Sequence, residues 1–290
     1  MKQHRQMPSQ LPQPDQSALA HSERVAAHIH EAIAAAGGWL PFSSYMELAL
    51  YAPGLGYYSA GARKLGAEGD FITAPEASPL FGQVLARQVV DLFATLPRVV
   101  LEVGAGSGAL AASLLEELER LDALPEQYLI LELSADLRQR ERDTLAGRVP
   151  HLLERVAWLN QLPPAFSGVV LGNEVLDAMP VEVFRVGEEN VWQAGVVTRG
   201  SSFAWDYQPA GEAFTDPVRE LALHPGYRSE IGLAAAAFIR SLAGVMERAA
   251  AIFIDYGFPR HEYYHPQRSS GTLMCHYRHR AHDDPFFLPG

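Results

Sequence analysis

Residues 99–108 read Val99-Val100-Leu101-Glu102-Val103-Gly104-Ala105-Gly106-Ser107-Gly108, and this stretch decides the fold class. Arg98 to Val103 reads as a short buried strand, and Ser107 to Leu121 carries the spacing of a helix. Glycines are required between them, because the chain must turn tightly and let a ligand approach its backbone closely. The helix that follows presents unpaired N–H groups and a partial positive charge to whatever lies in the turn. A strand, a glycine turn and a helix in this order form the nucleotide-binding corner of an α/β sheet.

Working outward, strands and helices continue to alternate. Tyr128–Leu133 reads as a strand, Ser134–Leu145 as a helix, and Val156–Leu159 and Gly168–Gly172 as two further strands. A helix over Glu230–Arg248 leads into a last strand, Ala250–Asp255. This order predicts a parallel sheet with helices on both faces. The stretch 181–229 breaks the rhythm: Val183–Val186, Val191–Val197 and Ser202–Trp205 read as an inserted antiparallel meander. The domain organisation expected is a disordered tail over 1–17, a helical and lid segment over 18–97, and a Rossmann-like domain over 98–290 that contains the insertion.

In the N-terminal segment, Val25, Ile29 and Ile33 recur four apart over Ser22–Ala36, and Gly37-Gly38 supplies a helix stop. Ser44 and Glu47 have capping-box spacing ahead of a short helix ending near Tyr51. A glycine-rich, aromatic-bearing loop follows, from Pro53 to Glu76. It is too long to be idle in a compact domain and reads as a lid. From Pro79 to Leu96 a helix returns, with Leu80, Val84, Leu85, Val89 and Leu92 on one side.

Composition narrows the function. The 290 residues hold 23 Lys and Arg against 34 Asp and Glu, a formal charge of −11, which argues against a nucleic-acid partner. Cys275 is the only cysteine, so no internal disulfide forms and a reducing compartment fits. No apolar run is long enough for a membrane span, and the Gln- and Pro-rich start is no secretory signal. His276, His279 and His282 are evenly spaced, but no cysteine or carboxylate completes a metal ligand set, and no metal is expected.

Two cofactor types use a glycine corner of this kind. A dinucleotide sets its pyrophosphate on the helix, whereas S-adenosylmethionine presents an amino-acid carboxylate. The G-x-G-x-G spacing of Gly104, Gly106 and Gly108 favours the second, with Ala105 in the same turn. Glu102 also favours it, because an acid there repels a pyrophosphate and suits a cation. Glu132, at the end of the next strand, is placed to accept from both ribose hydroxyls, a role shared with NAD sites. Trp158 and Leu159 end the third strand, where the adenine is expected to pack. Asn173, Glu174 and Asp177 follow the fourth strand, where open α/β sheets carry their chemistry. Asn173 is expected to face the reacting centre and the cofactor amine; Glu174 and Asp177 offer two carboxylates. Asp70 and Thr73 on the lid are secondary substrate candidates.

Together these segments resemble the MidA family of methyltransferases, which includes a mitochondrial protein arginine methyltransferase. The resemblance rests on Gly56-Tyr57-Tyr58, Gly69-Asp70-Phe71-Ile72-Thr73-Ala74-Pro75-Glu76, Leu80-Phe81-Gly82, the Glu102–Gly108 loop, Glu132-Leu133-Ser134, Asn173–Pro180 and Ile254-Asp255-Tyr256-Gly257. It implies a class I, Rossmann-like methyltransferase fold, S-adenosyl-L-methionine as cofactor, and symmetric dimethylation of a protein arginine. It implies a bacterial cytoplasmic location, or the mitochondrial matrix in a eukaryote, and leaves the oligomeric state open. Family members continue past Asp283-Asp284-Pro285, so the chain is expected to lack the last two strands of the sheet. The rival expectations are a non-catalytic assembly factor that binds the same cofactor, and an NAD-dependent oxidoreductase.

Overall fold

The computed structural model describes residues 11–59 and 73–290. The N-terminal segment holds α1 (Gln16–Ala35), β1 (Leu40–Pro41), α2 (Phe42–Tyr51), α3 (Ala74–Ala77) and α4 (Leu80–Phe93). Next come β2 (Val99–Val103), α5 (Ala109–Arg120), β3 (Gln127–Leu131), α6 (Ala135–Arg148), β4 (Val156–Leu159) and β5 (Phe166–Asn173). The inserted region carries β6 (Glu182–Val186), β7 (Val191–Arg199), β8 (Ser202–Pro209), α7 (Glu212–Arg219) and β9 (Arg228–Ile231). The chain then returns through α8 (Leu233–Val245) and β10 (Met246–Ile254).

Five strands form one parallel sheet in the order β10-β5-β2-β3-β4. The chain runs outward from β2 through β3 to β4, then returns beside β2 with β5 and continues to β10. The order therefore reverses between β2 and β5, and the carboxyl ends of those strands frame the crevice in which open α/β sheets bind ligands. Alternation along the strands serves two faces. Val100, Tyr128, Ile130, Val169 and Leu171 pack with Leu85 and Val89 of α4, Leu114 and Leu118 of α5 and Leu145 of α6. Leu101, Val103, Leu131 and Val170 pack with Leu242 and Phe238 of α8 on the opposite face.

A second, antiparallel sheet has the order β1-β7-β6-β9, with β8 also paired to β7. Its edge strand comes from the N-terminal segment: Leu40 pairs with Val196 and Pro41 with Gly195. Val25, Ile29 and Ile33 of α1 and Phe42 and Tyr45 of α2 share a core with Val183, Ala194, Val196 and Phe203 of the insertion. The N-terminal segment and the insertion are thus one layer built from two distant stretches.

Several sequence expectations need correction. α1 starts at Gln16, inside the stretch expected to be a disordered tail, because Asp15 caps it by accepting from the Ala18 N–H at 2.9 Å. Residues 1–10 lie outside the described residues. α2 begins straight after Pro41, so Ser44 lies within its first turn and not at its cap. The helix expected from Glu230 begins at Leu233, because Arg228–Ile231 pair with β6 and Gly232 ends that strand. β10 accordingly starts at Met246 rather than Ala250. On α4, Leu80 and Val84 face solvent, at 65% and 63% exposure, and the helix buries Gly82, Leu85, Ala86 and Val89. Gly82 explains that face: a Cβ there would lie 2.1 Å from Ser113 Oγ, so α4 meets α5 at its glycine. Among the described residues no helix is long and apolar enough to cross a membrane.

Candidate active site

A cleft of about 920 Å³ opens at the carboxyl ends of the parallel strands, near the upper end of the 300–1,000 Å³ usual for small-molecule sites. Its floor is the turn from β2 to α5. Gly104 and Gly106 have φ of +63° and +59°, backbone geometry that other residues adopt only under strain. Gly104 N–H donates to the Leu131 carbonyl at 3.0 Å, which ties the turn to the end of β3. Thr144 Oγ1 donates to the Ser107 carbonyl at 2.7 Å, which ties it to α6. Gly104, Ala105 and Gly106 line the cleft. Gly108 does not: it precedes α5 at φ +77°, and a Cβ there would lie 3.0 Å from the Glu141 backbone. Its role is close packing of α5 against α6.

Glu132 follows β3 and lines the cleft at 8% exposure. Its backbone N–H donates to the Leu159 carbonyl at 3.2 Å, extending the ladder with β4, and its Oε1 accepts from the Ser134 N–H at 2.7 Å. Burial raises its carboxyl, and the Ser134 and Leu133 N–H groups oppose that rise. Ser134 then caps α6, accepting from the Leu137 N–H at 3.2 Å and donating to the Tyr58 carbonyl at 3.0 Å. The Gly56-Tyr57-Tyr58 stretch is thereby fixed above the carboxylate.

Glu102 also lines the cleft and is almost wholly buried. Its Oε2 accepts from the Tyr128 hydroxyl at 2.6 Å. Burial pushes the carboxyl up to about 7 despite that hydrogen bond. Behind it lies Glu141, fully buried on α6, whose Oε2 accepts from the Trp158 indole N–H at 2.7 Å. Burial, and then the Glu132 charge, push Glu141 up to about 8. Its Oε1 has no hydrogen-bond partner among the described residues. The sequence reading missed Glu141, although a signal was present: it sits midway between Leu137 and Leu145, on the stripe α6 turns inward.

Trp158 is a correction. Its ring is turned to α6, bonded to Glu141 and covered by the Arg142 guanidinium 4.5 Å from its centroid. Leu159 packs beneath the sheet with Leu101 and Val170. Neither lines the cleft; the next residues, Asn160, Gln161 and Leu162, take that position. Strand alternation put the two apolar side chains into the cores and left the polar loop at the rim.

The far end of the cleft is the turn after β5. Asn173, Glu174 and Asp177 all line it, with Thr73, Tyr51 and Tyr58. Glu174 has φ +51°, uncommon for a residue with a side chain, and its N–H donates to the Ile254 carbonyl at 2.8 Å. Desolvation, then the charges of Asp177 and Asp255, raise its carboxyl, opposed by the Asn173 side chain and the Ala74 backbone. Desolvation also raises Asp177, with the Tyr256 hydroxyl bonded to it pulling the other way. Tyr51 and Tyr58 stack with centroids 5.4 Å apart, and Tyr51 donates to the Ala178 carbonyl at 2.8 Å. In sequence these tyrosines enter only with a resemblance or a helix end; their place in the cleft comes from distant contacts, Tyr51 to the Ala178 carbonyl and the Tyr58 carbonyl to Ser134. Asp70 lies outside the described residues.

Residues 84–290 match the model of a family described as "Putative S-adenosyl-L-methionine-dependent methyltransferase". The chain is 50% identical to a candidate methyl transferase from Burkholderia thailandensis whose crystal structure holds S-adenosyl-homocysteine. That similarity has a TM-score of 0.91 and covers 97% of this chain and 74% of that one. A native crystal structure from the same organism is 49% identical at a TM-score of 0.88, covering 96% and 73%. Among curated proteins, the mitochondrial protein arginine methyltransferase NDUFAF7 homolog of Drosophila melanogaster is 26% identical over 87% of this chain and 63% of its own length. The Danio rerio protein arginine methyltransferase NDUFAF7, also mitochondrial, is 25% identical over 92% and 68%. The chain therefore spans about two thirds of the length of these curated relatives.

Proposed function

This chain belongs to the MidA family of S-adenosyl-L-methionine-dependent methyltransferases, and on that premise we propose that it binds this cofactor and methylates a protein arginine. The cleft residues fit the cofactor. Gly104 and Gly106 leave the floor without side chains, and the N-terminus of α5 offers a partial positive charge to a carboxylate. Glu132 retains acceptor capacity for a ribose diol beyond the Ser134 N–H it already holds. Glu102 sets an acid where a cationic amine or sulfonium gains most from it. Asn160 to Leu162 take the rim where a base would lie.

When bound, the cofactor supplies an electrophilic methyl on a sulfonium; the C–S bonding pair stays on sulfur as the acceptor's lone pair forms the new bond. The remaining task falls to the protein, and it is one of positioning and charge. A guanidinium holds its proton firmly in water and is a poor nucleophile in that form. The observation that carries the arginine reading is the pairing of Glu174 with Asp177 at the switch-point crevice, beside stacked Tyr51 and Tyr58. Two carboxylates can hold the planar fork, draw charge away from the attacking nitrogen and accept its proton. The names of the two curated relatives support the same acceptor.

The test is calorimetry with S-adenosylmethionine and with NADH, followed by labelled-methyl transfer into a cell lysate and amino-acid analysis of the product. The proposal expects binding of the first ligand only, and label in methylated arginine, including the symmetric dimethyl form. Cofactor binding with no methylated product would favour an assembly factor, and NADH binding an oxidoreductase. Either result defeats the proposal.

A further inference from the structure

The Ile254-Asp255-Tyr256-Gly257 stretch, at the end of β10, makes contacts that the proposed chemistry above does not use. Asp255 Oδ2 accepts from the N–H groups of Leu176 and Asp177 at 2.9 and 3.3 Å, and its Oδ1 accepts from the Tyr256 N–H at 3.0 Å. Ile254 accepts from the Glu174 N–H. The turn that carries both cleft carboxylates is therefore held at three backbone N–H groups by the end of one neighbouring strand. Tyr256 adds a side-chain contact: its hydroxyl donates to Asp177 Oδ2.

We infer that Tyr256 is a positioning residue that keeps Asp177 charged and turned to the acceptor, leaving Glu174 to take the acceptor's proton. The inference rests on the methyl-transfer reading above. A phenol bonded to one oxygen fixes the rotation of the carboxylate and leaves the other oxygen with its full acceptor capacity, so Tyr256 sets which Asp177 oxygen is the better acceptor for a ligand in the cleft. A donor to the charged form also makes a carboxylate a weaker base. Among the described residues no phenol bonds Glu174, whose own partners are the Asn173 side chain and the Ala74 backbone, and its backbone is left-handed. Among the described residues the groups facing Asp177 are Glu174 on its own turn, Asp255 and Tyr256 just past β10, and Tyr51 and Tyr58 from the α2 side. Tyr256 is the one whose hydroxyl bonds it. At 67% exposure, Tyr256 carries little of the core, so its replacement leaves the fold in place.

The test is Tyr256→Phe, read in two ways. Carboxyl NMR of aspartate-labelled protein, with Asp177→Asn to assign the signal, follows the Asp177 titration with no substrate present. Loss of the phenol donor should move its midpoint up by about one pH unit. In transfer assays the acceptor KM should rise roughly tenfold and its acid limb should shift the same way, with kcat and cofactor affinity within about twofold. Asp255→Asn, which loosens the whole turn, should lower kcat as well. An unmoved Asp177 midpoint in Tyr256→Phe, or a loss confined to kcat, overturns the inference. A wild-type chain that methylates no arginine overturns the functional reading instead, and the Asp177 titration still decides whether Tyr256 governs that carboxyl.

Discussion

The two ends of the cleft carry acids of different character. At the glycine turn, Glu102 and Glu141 are buried on the α5–α6 side of the sheet, at 2% and 0% exposure, and burial sets both carboxyls near neutrality. At the turn after β5, Glu174 and Asp177 stand nearer solvent; desolvation still raises both most, and partners then adjust them, the Asp177 and Asp255 charges on Glu174 and the Tyr256 phenol and the Asp255 charge on Asp177. The contrast suits two tasks. A dry wall whose acid gives up its proton as a cation arrives suits recognition of a cationic cofactor, while partnered acids at an open mouth can exchange protons with an incoming side chain. Glu132 lies between them, buried like the first group and anchored by N–H groups like the second.

The largest effect on the cofactor end should come from Glu132→Ala. It removes a charged acceptor from the ribose position, worth about 1.5–3 kcal/mol per hydrogen bond, so cofactor affinity by calorimetry should fall by about ten- to a hundredfold or more. An unchanged affinity would place the ribose elsewhere. Next is the pH dependence of cofactor binding. A cationic ligand favours ionised Glu102, so binding should release a proton, and affinity should rise up to about tenfold between pH 6 and 8. Glu102→Gln should flatten that rise. A flat wild-type profile would separate Glu102 from the cofactor.

An effect outside the binding reaction concerns stability. The folded-state carboxyl of Glu141 is raised from its ordinary value to about 8. Its contribution is therefore fully present below the unfolded value near 4.5 and is lost as pH rises through 8. Glu141→Gln should gain roughly 3 kcal/mol at pH 8 relative to pH 5, visible as a Tm difference of about five to ten degrees. Equal shifts at both pH values would show that Glu141 is not the titrating group. Glu102, raised to about 7, adds a like dependence that ends lower in pH.

The cofactor end was far more legible in sequence than the acceptor end. Val99 to Gly108 announces its strand, turn and helix through local residues, and Glu132 follows at the end of the next strand. The second layer was hidden, because pairing Leu40 with Val196 leaves no local signature in either stretch. Glu230 falls inside the expected helix because the apolar run after it is helical, while its own pairing with Val183 is a long-range fact. The expectation that Trp158 stands at the rim fails because sequence shows a strand's end and not which face each side chain takes. The convergence of Tyr51, Tyr58 and Tyr256 on Asp177 joins three segments separated by most of the chain, and no spacing rule reaches that far.

The separation of the two ends is tested most directly by Glu174→Gln, with cofactor affinity and methyl transfer measured on the same preparation. A proton acceptor contributes about a hundred- to ten-thousandfold in rate. Transfer should therefore fall by at least about a hundredfold while the Kd for S-adenosylmethionine stays within about twofold. If affinity and transfer fall together, Glu174 belongs to the cofactor site and the division between the two ends is wrong.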